Sequence, residues 1–158
     1  MIASMERTDQ HILALLAREG RMSYTEIGHQ TGLSTSAAQQ RVKRLEQRGV
    51  IVGYHAQIDP ATLGRTLTAF ISIRPIDPAA DAHTQTVLAG MSEMVSCFSI
   101  AGDASYLCMV AVGSTAELDA LLTRLRNQAN VMTVTTVVLT TLFRDRPPLP
   151  LPERGDGA

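Results

Sequence analysis

The chain has 158 residues, of which 45% are hydrophobic and 18% charged, and its formal net charge is -1. This is enough apolar material for one ordinary domain or two small ones, which excludes wholesale disorder. A charge this close to neutral excludes a basic whole protein, and residues 1–10 are too polar for a secretion signal.

The charge is nevertheless uneven. Residues 1–55 carry seven Lys/Arg against five acids, a net of +2, and the remainder carries seven against ten, a net of -3. A mildly basic front and an acidic back suit a nucleic-acid-facing N-terminal module. No apolar run approaches membrane-spanning length. Cys97 and Cys108 belong to no Cys-x-x-Cys or Cys/His cluster, so the sequence offers no structural zinc site. If the two lie on strands paired around a turn at residues 101–105, Cys97 opposes roughly position 109 and Cys108 points to the other face. That placement predicts no disulfide and fits a reducing cytoplasm.

In chain order, residues 5–18 read as a first helix with Ile12, Leu13, Leu15 and Leu16 on its apolar side and Gly20 beyond its end. Ser23-Tyr24-Thr25-Glu26 is a capping box that opens a short helix ending near Gly32. Ser34 is the N-cap of a third helix, residues 34–48, closed by Gly49. Helix, short Gly-containing turn, helix is the helix-turn-helix arrangement, whose second helix enters the major groove. In the third helix Ala38, Val42 and Leu45 fall at i, i+4, i+7, one narrow apolar face. The opposite face collects Ser36, Gln40, Lys43 and Gln47, with Gln39 beside it, and Arg41, Arg44 and Arg48 run along one flank.

Gln can bond two adjacent base atoms in the major groove, and Lys or Arg neutralise phosphates. The expected DNA-binding set is therefore Ser34, Thr35, Ser36, Gln39, Gln40, Arg41, Lys43 and Arg44. Ser36, Gln39, Gln40 and Lys43 face the groove. Arg41, Arg44 and Arg48 reach phosphates, or one of them makes a structural ion pair with Glu46 or Glu19. The bland alternative is a solvated amphipathic helix.

Residues 50–56 mix β-branched residues with a central Gly and read as a two-stranded wing or as the first strand of a connection. Asp59-Pro60 starts a hinge helix of about one turn that Gly64 terminates. From residue 66 the period changes. Residues 67–74 read as a strand. Asp77-Pro78 caps a helix with Ala80, Thr84, Val87, Leu88 and Met91 on one face. Residues 95–100 and 106–112 are strands around the turn 101–105. Ser114-Thr115-Ala116-Glu117 is a capping box ahead of a Leu118/Leu121/Leu122/Leu125/Ala129 stripe, and residues 131–143 are a long final strand.

The order β-α-β-β-α-β is ferredoxin-like. The class is α+β: a winged helix-turn-helix over residues 1–56, a hinge at 57–65, a ferredoxin-like domain at 66–146 and a Pro-rich flexible tail at 147–158. Two helices cover only one sheet face. On the first strand either Leu67/Ala69/Ile71/Ile73 or Phe70 is left outward, which predicts sheet-to-sheet or edge-to-edge dimerisation.

A long run resembles the Lrp/AsnC, or feast/famine, transcriptional regulators. It comprises Asp9, Ile12-Leu13, Gly20-Arg21-Met22-Ser23-Tyr24, Ile27, Gly32-Leu33-Ser34, Arg41-Val42-Lys43-Arg44-Leu45-Glu46, Gly49-Val50-Ile51, Tyr54-His55-Ala56, Asp59-Pro60 and Leu63-Gly64. The second half is similar to that family's effector domain, called RAM. The resemblance spans about residues 5–145. It implies binding to double-stranded DNA, homodimers that assemble further into octamers, and an amino acid or related metabolite as effector, with no cofactor.

It places the effector near the turn Gly102, Asp103, Ala104, Ser105 and Tyr106 and the final-strand Thr133 and Thr135, between dimers. Backbone N–H groups of the turn would hold a carboxylate, and Asp103 an ammonium. Relatives commonly carry a cation where Gln40 stands, and a Gly-Asp-aromatic-Asp-aromatic turn where this chain has Ala104 and Ser105. Two other classes compete. One is a haem-pathway decarboxylase on the same architecture, for which His11, His29, His55 and His83 are too scattered. The other is an effector-sensing oligomer without DNA binding.

Overall fold

The computed structural model describes residues 5–77, 79 and 81–145. The chain divides into two compact units. One takes in the described residues up to Gln57 and those from Phe143 onward, and the other spans Ile58–Leu142. The expected tail at 147–158 lies outside the described residues.

The first unit is built on α1 (Arg7–Arg18), α2 (Tyr24–Thr31) and α3 (Thr35–Gln47). Ser23 Oγ accepts the Glu26 N–H at 3.1 Å and Ser34 Oγ accepts the Ala37 N–H at 3.2 Å, so both helix starts have the expected caps. The box at Ser23 is only half made, because the Glu26 carboxylate accepts from the Gln30 amide at 2.8 Å. Gly32 ends α2 with φ 69°, a left-handed C-cap that suits glycine. Gly28 matters for a different reason. A Cβ there would sit 2.7 Å from the Leu33 carbonyl oxygen, so the turn can fold back on α2 only over a bare backbone.

The three helices enclose Ile12, Ile27, Ala38, Val42 and Leu45, with Leu13, Leu16, Met22, Tyr24, Leu33, Val50 and Ile51 packed around them. Burying each large aliphatic contributes about 1.5–3 kcal/mol. The wing is not formed. Residues 50–59 contain no strand, because no second segment of the unit pairs with their backbone. The chain instead tucks Val50 and Ile51 under Leu45, whose carbonyl accepts both their N–H groups at 2.9 and 3.2 Å. Tyr54 then reaches back to donate its hydroxyl to Glu46 Oε1 at 2.9 Å.

The second unit opens with the expected single turn, a 3-10 helix at Pro60–Leu63 capped by Asp59 and ended by Gly64 at φ 72°. It continues as β1 (Leu67–Pro75), α4 (Asp81–Ala89), β2 (Met94–Ser99), β3 (Tyr106–Val112), α5 (Thr115–Ala129) and β4 (Val131–Val137). The fully antiparallel sheet has order β2-β3-β1-β4. α4 begins at Asp81, later than the Asp77-Pro78 start expected. Asp77 Oδ1 accepts the Ala79 N–H at 2.9 Å, while Pro78 and Ala80 lie outside the described residues. Ser114 Oγ caps α5, and the Glu117 carboxylate reaches back to the Gly113 N–H at 2.8 Å.

Period-two alternation puts Ala69, Ile71 and Ile73 beneath the helices, with Cys108, Val110, Val112, Leu121 and Leu125. Phe70 therefore faces out, and registered rows cross the opposite face. Phe98, Leu107, Ser72 and Val134 make one row; Met109, Phe70 and Thr136 make the next. β4 stops at Val137, short of the expected 143. Val138 still donates to Thr68, but β1 begins at Leu67 and supplies nothing further to pair with.

The strand pairing also corrects the cysteine placement. Ser99 opposes Tyr106 at the turn and the register runs unbroken from there, so Cys97 opposes Cys108 directly; the bulge of β2 lies beyond this pair, between Met94 and Ser96. The Cys108 thiol lies 2.8 Å from the Cys97 sulfur; both are free cysteines, Cys97 exposed and Cys108 buried.

Candidate nucleic-acid interface and effector cleft

Helix α3 sorts its side chains as its periodicity demands. Ala38, Val42 and Leu45 are at most 1% exposed. On the far side Ser36, Gln40, Lys43, Arg44 and Gln47 are exposed, and Gln39 is half-buried. Ser34 and Thr35, though exposed, act on the protein itself. Ser34 caps the helix and shares a 3.1 Å contact with Ser36 Oγ, and Thr35 donates to Thr25 at 3.4 Å.

Arg41 departs from the phosphate role. Its Nη1 donates to Asp9 Oδ1 at 2.8 Å and to Glu6 Oε2 at 2.7 Å. The Asp9 and Glu6 hydrogen bonds hold the guanidinium pKa above its ordinary value. Asp9 is 3% exposed and also lies 3.9 Å from Arg44 Nη2. The structural ion pair is thus made to α1 and not to Glu46 or Glu19. Asp9 precedes Ile12 and Leu16 by three and seven positions, so it shares their inward face. That spacing is the signal that could have found it. Arg48 remains exposed at the helix end, and Glu46 holds Tyr54, whose own pKa is pushed up to about 12 by burial and by this hydrogen bond.

In the second unit an open cleft of about 820 Å³ lies at one end of the sheet, lined by Arg74, Pro75, Ile76, Asp81, Gly102, Asp103, Ser105 and Met132. It gathers three of the expected effector residues, Gly102, Asp103 and Ser105, and sets them with a cation. Ala104, Tyr106, Thr133 and Thr135 do not line it. Tyr106 is buried, donates to Asp81 and accepts from the Gln85 amide at 3.0 Å. Thr133 accepts from Arg126 Nε at 3.0 Å. By register Thr133 and Thr135 lie beside Ile73 and Ile71 on the helix side, whereas Arg74 pairs with Met132. Ala104 is half-buried within the turn. Reading the strand as apolar hid Arg74, the charge that ends it.

Among the described residues no His, Cys, Asp or Glu cluster is arranged to hold a metal, and no helix is long and apolar enough to cross a membrane. His83 contacts the Gln128 carbonyl at 2.9 Å.

A capped helix-turn-helix whose second helix turns amides and cations outward, joined to a ferredoxin-like ligand-binding unit, defines a DNA-binding regulator. The comparisons carry this further. Residues 5–52 match a winged helix-turn-helix DNA-binding family, and residues 68–148 match the Lrp/AsnC ligand-binding domain. The chain is 41% identical over 150 residues, 95% of its length and 100% of the relative's, to the HTH-type transcriptional regulator LrpA of Mycobacterium tuberculosis. It superposes with TM-score 0.82 and 40% identity on a feast or famine regulatory protein of that organism complexed with L-methionine, covering 93% of this chain and 100% of the other. A Neisseria meningitidis transcriptional regulator complexed with L-methionine matches with TM-score 0.83 and 25% identity, over 89% and 94% of the two chains. The chain belongs to the Lrp/AsnC family of transcriptional regulators.

Proposed function

We propose that the chain is a cytoplasmic, non-enzymatic homodimer that reads its operator through α3 and responds to a free amino acid. The exposed Ser36, Gln40 and Lys43 over the buried Ala38, Val42 and Leu45 carry the DNA half of this reading. Gln40, with Ser36, Gln39 and Lys43, reads base edges. Arg44 and Arg48 take phosphates, and Arg41 positions the helix. The DNA-binding domain ends near residue 56, the hinge at 57–65 follows, and the effector domain begins near 66.

The cleft with Arg74 and Asp103 carries the effector half. A free amino acid is a zwitterion, and a cleft lined by both a guanidinium and a carboxylate can answer both of its charges. The methionine complexes of the two structural relatives point to the same ligand class. Dimers form through the open sheet face bearing Phe70, Phe98 and Val134. Further assembly, up to octamers, sets a second dimer against the open side of the cleft.

Thermal melting of the full chain with each L-amino acid tests the effector half. At a ligand concentration about a hundred times Kd, a native-state ligand adds about 2.7 kcal/mol and raises Tm. L-methionine is expected to raise it, its methyl ester to lose most of the effect, and Asp103→Asn to lose the rest. An unmoved Tm across all amino acids overturns this half and leaves the DNA half standing.

A further inference from the structure

We propose that Cys97 and Cys108 form a redox-modification site, a cross-strand dithiol that a hydroperoxide converts into an intramolecular disulfide. The inference stands apart from the effector reading, because its readout is covalent.

The pairing of β2 with β3 carries the geometry. From the turn outward Ser99/Tyr106, Phe98/Leu107 and Cys97/Cys108 pair in unbroken register, so the two cysteines are directly opposed residues on adjacent strands, sulfur to sulfur at 2.8 Å. A bond of about 2.05 Å needs the sulfurs to close by less than an ångström, within the freedom of two χ1 torsions. The two are also unequal. Cys97 is exposed and lines an open cavity of about 410 Å³ of mixed character, with Leu88, Met91, Ser96 and Ser99, which gives a small oxidant a route in. Cys108 is fully buried, and that burial, then the contact with Cys97, pushes its thiol pKa up. One sulfur is placed to meet the oxidant and the other to resolve it.

The Cys97 thiolate attacks the peroxide O–O bond, taking one oxygen as sulfenic acid and releasing hydroxide, which the displaced thiol proton converts to water. The Cys108 sulfur then attacks the Cys97 sulfur. The S–O bond breaks, and the departing hydroxide takes the Cys108 proton as a second water. Two thiols lose two electrons and hydrogen peroxide gains them. An incoming thiol attacks the exposed Cys97 sulfur, leaving a mixed disulfide there and returning Cys108 to its thiol; a second thiol then frees Cys97 and leaves as the disulfide of the two.

The full chain, reduced and then exposed to hydrogen peroxide, is alkylated under denaturing conditions and weighed. The expected product is monomeric in mass, lighter by two hydrogen atoms, and refuses alkylation until reduced. Cleavage before Asp103, the sole Asp between the two cysteines, should leave the fragments bearing Cys97 and Cys108 joined. In Cys108→Ser the reaction should stop at a sulfenic acid on Cys97 that dimedone traps. An interchain disulfide between Cys97 residues, or Cys97 over-oxidised to sulfinic acid while Cys108 still alkylates, overturns the proposal. The wild-type mass decides this even if the serine variant folds poorly.

Discussion

Gln40 and Arg41 are neighbours in sequence with opposite tasks. Gln40 is exposed on the stripe, and Gln40→Ala is expected to weaken binding to the true operator by about 1–3 kcal/mol with little change on random DNA. Gel-shift titrations on both duplexes check this, and equal losses would refute base reading. Arg41→Ala should act on the fold instead. It leaves the buried Asp9 carboxylate with only Arg44 at 3.9 Å, and losing its close partner costs up to about 3 kcal/mol, visible as a lower urea midpoint at unchanged slope. Helical periodicity alone showed which way Gln40 points. It could not show the Arg41 partners, because Asp9 in α1 and Glu6 just before it lie 32 and 35 positions away and depend on how α1 crosses α3. Tyr54 gives a pH test. Its folded pKa of about 12 lies above the ordinary tyrosine value of about 10. Its stabilising contribution is therefore complete below pH of about 10 and is lost as the pH climbs through about 12. Following the ultraviolet tyrosinate band, Tyr54→Phe should remove a late step from the titration.

At the scale of elements, the caps were legible because they are local: Ser23, Ser34, Asp59 and Ser114 each bond a backbone N–H two or three residues on. What failed was non-local. The final strand ends where β1 has no more backbone to offer, the wing has no partner segment, and the pairing of Ser99 with Tyr106 across the turn sets Cys97 one position from the register expected. None of these follows from a residue's own neighbours. Gly28 belongs here too, since nothing in its immediate sequence says that the Leu33 carbonyl closes over it. Gly28→Val should destabilise the first unit by about 1–3 kcal/mol through that clash. Circular dichroism melts would show it, and an unshifted melt would mean the turn can open without cost.

For the whole molecule, the open sheet face is the feature with most to decide. Val134, 70% exposed in a single chain, sits in the registered row with Phe98 and Leu107. Val134→Asp should break the dimer proposed for this face, so that the chain sediments as a monomer without unfolding the core on the other side of the sheet; an unchanged sedimentation coefficient would refute this interface. The sequence showed that one face had to be left uncovered, and the structure showed which.

The bond from Asp9 to Arg41 has one more consequence. A protein that neutralises phosphates releases condensed counterions, and each such contact steepens the fall of log affinity with log ionic strength by about 0.9. A guanidinium already held by two carboxylates releases none. Each subunit should therefore show a dependence shallower by about 0.9 than a helix whose three arginines all reached the duplex. Such a regulator keeps more of its grip when the surrounding electrolyte rises.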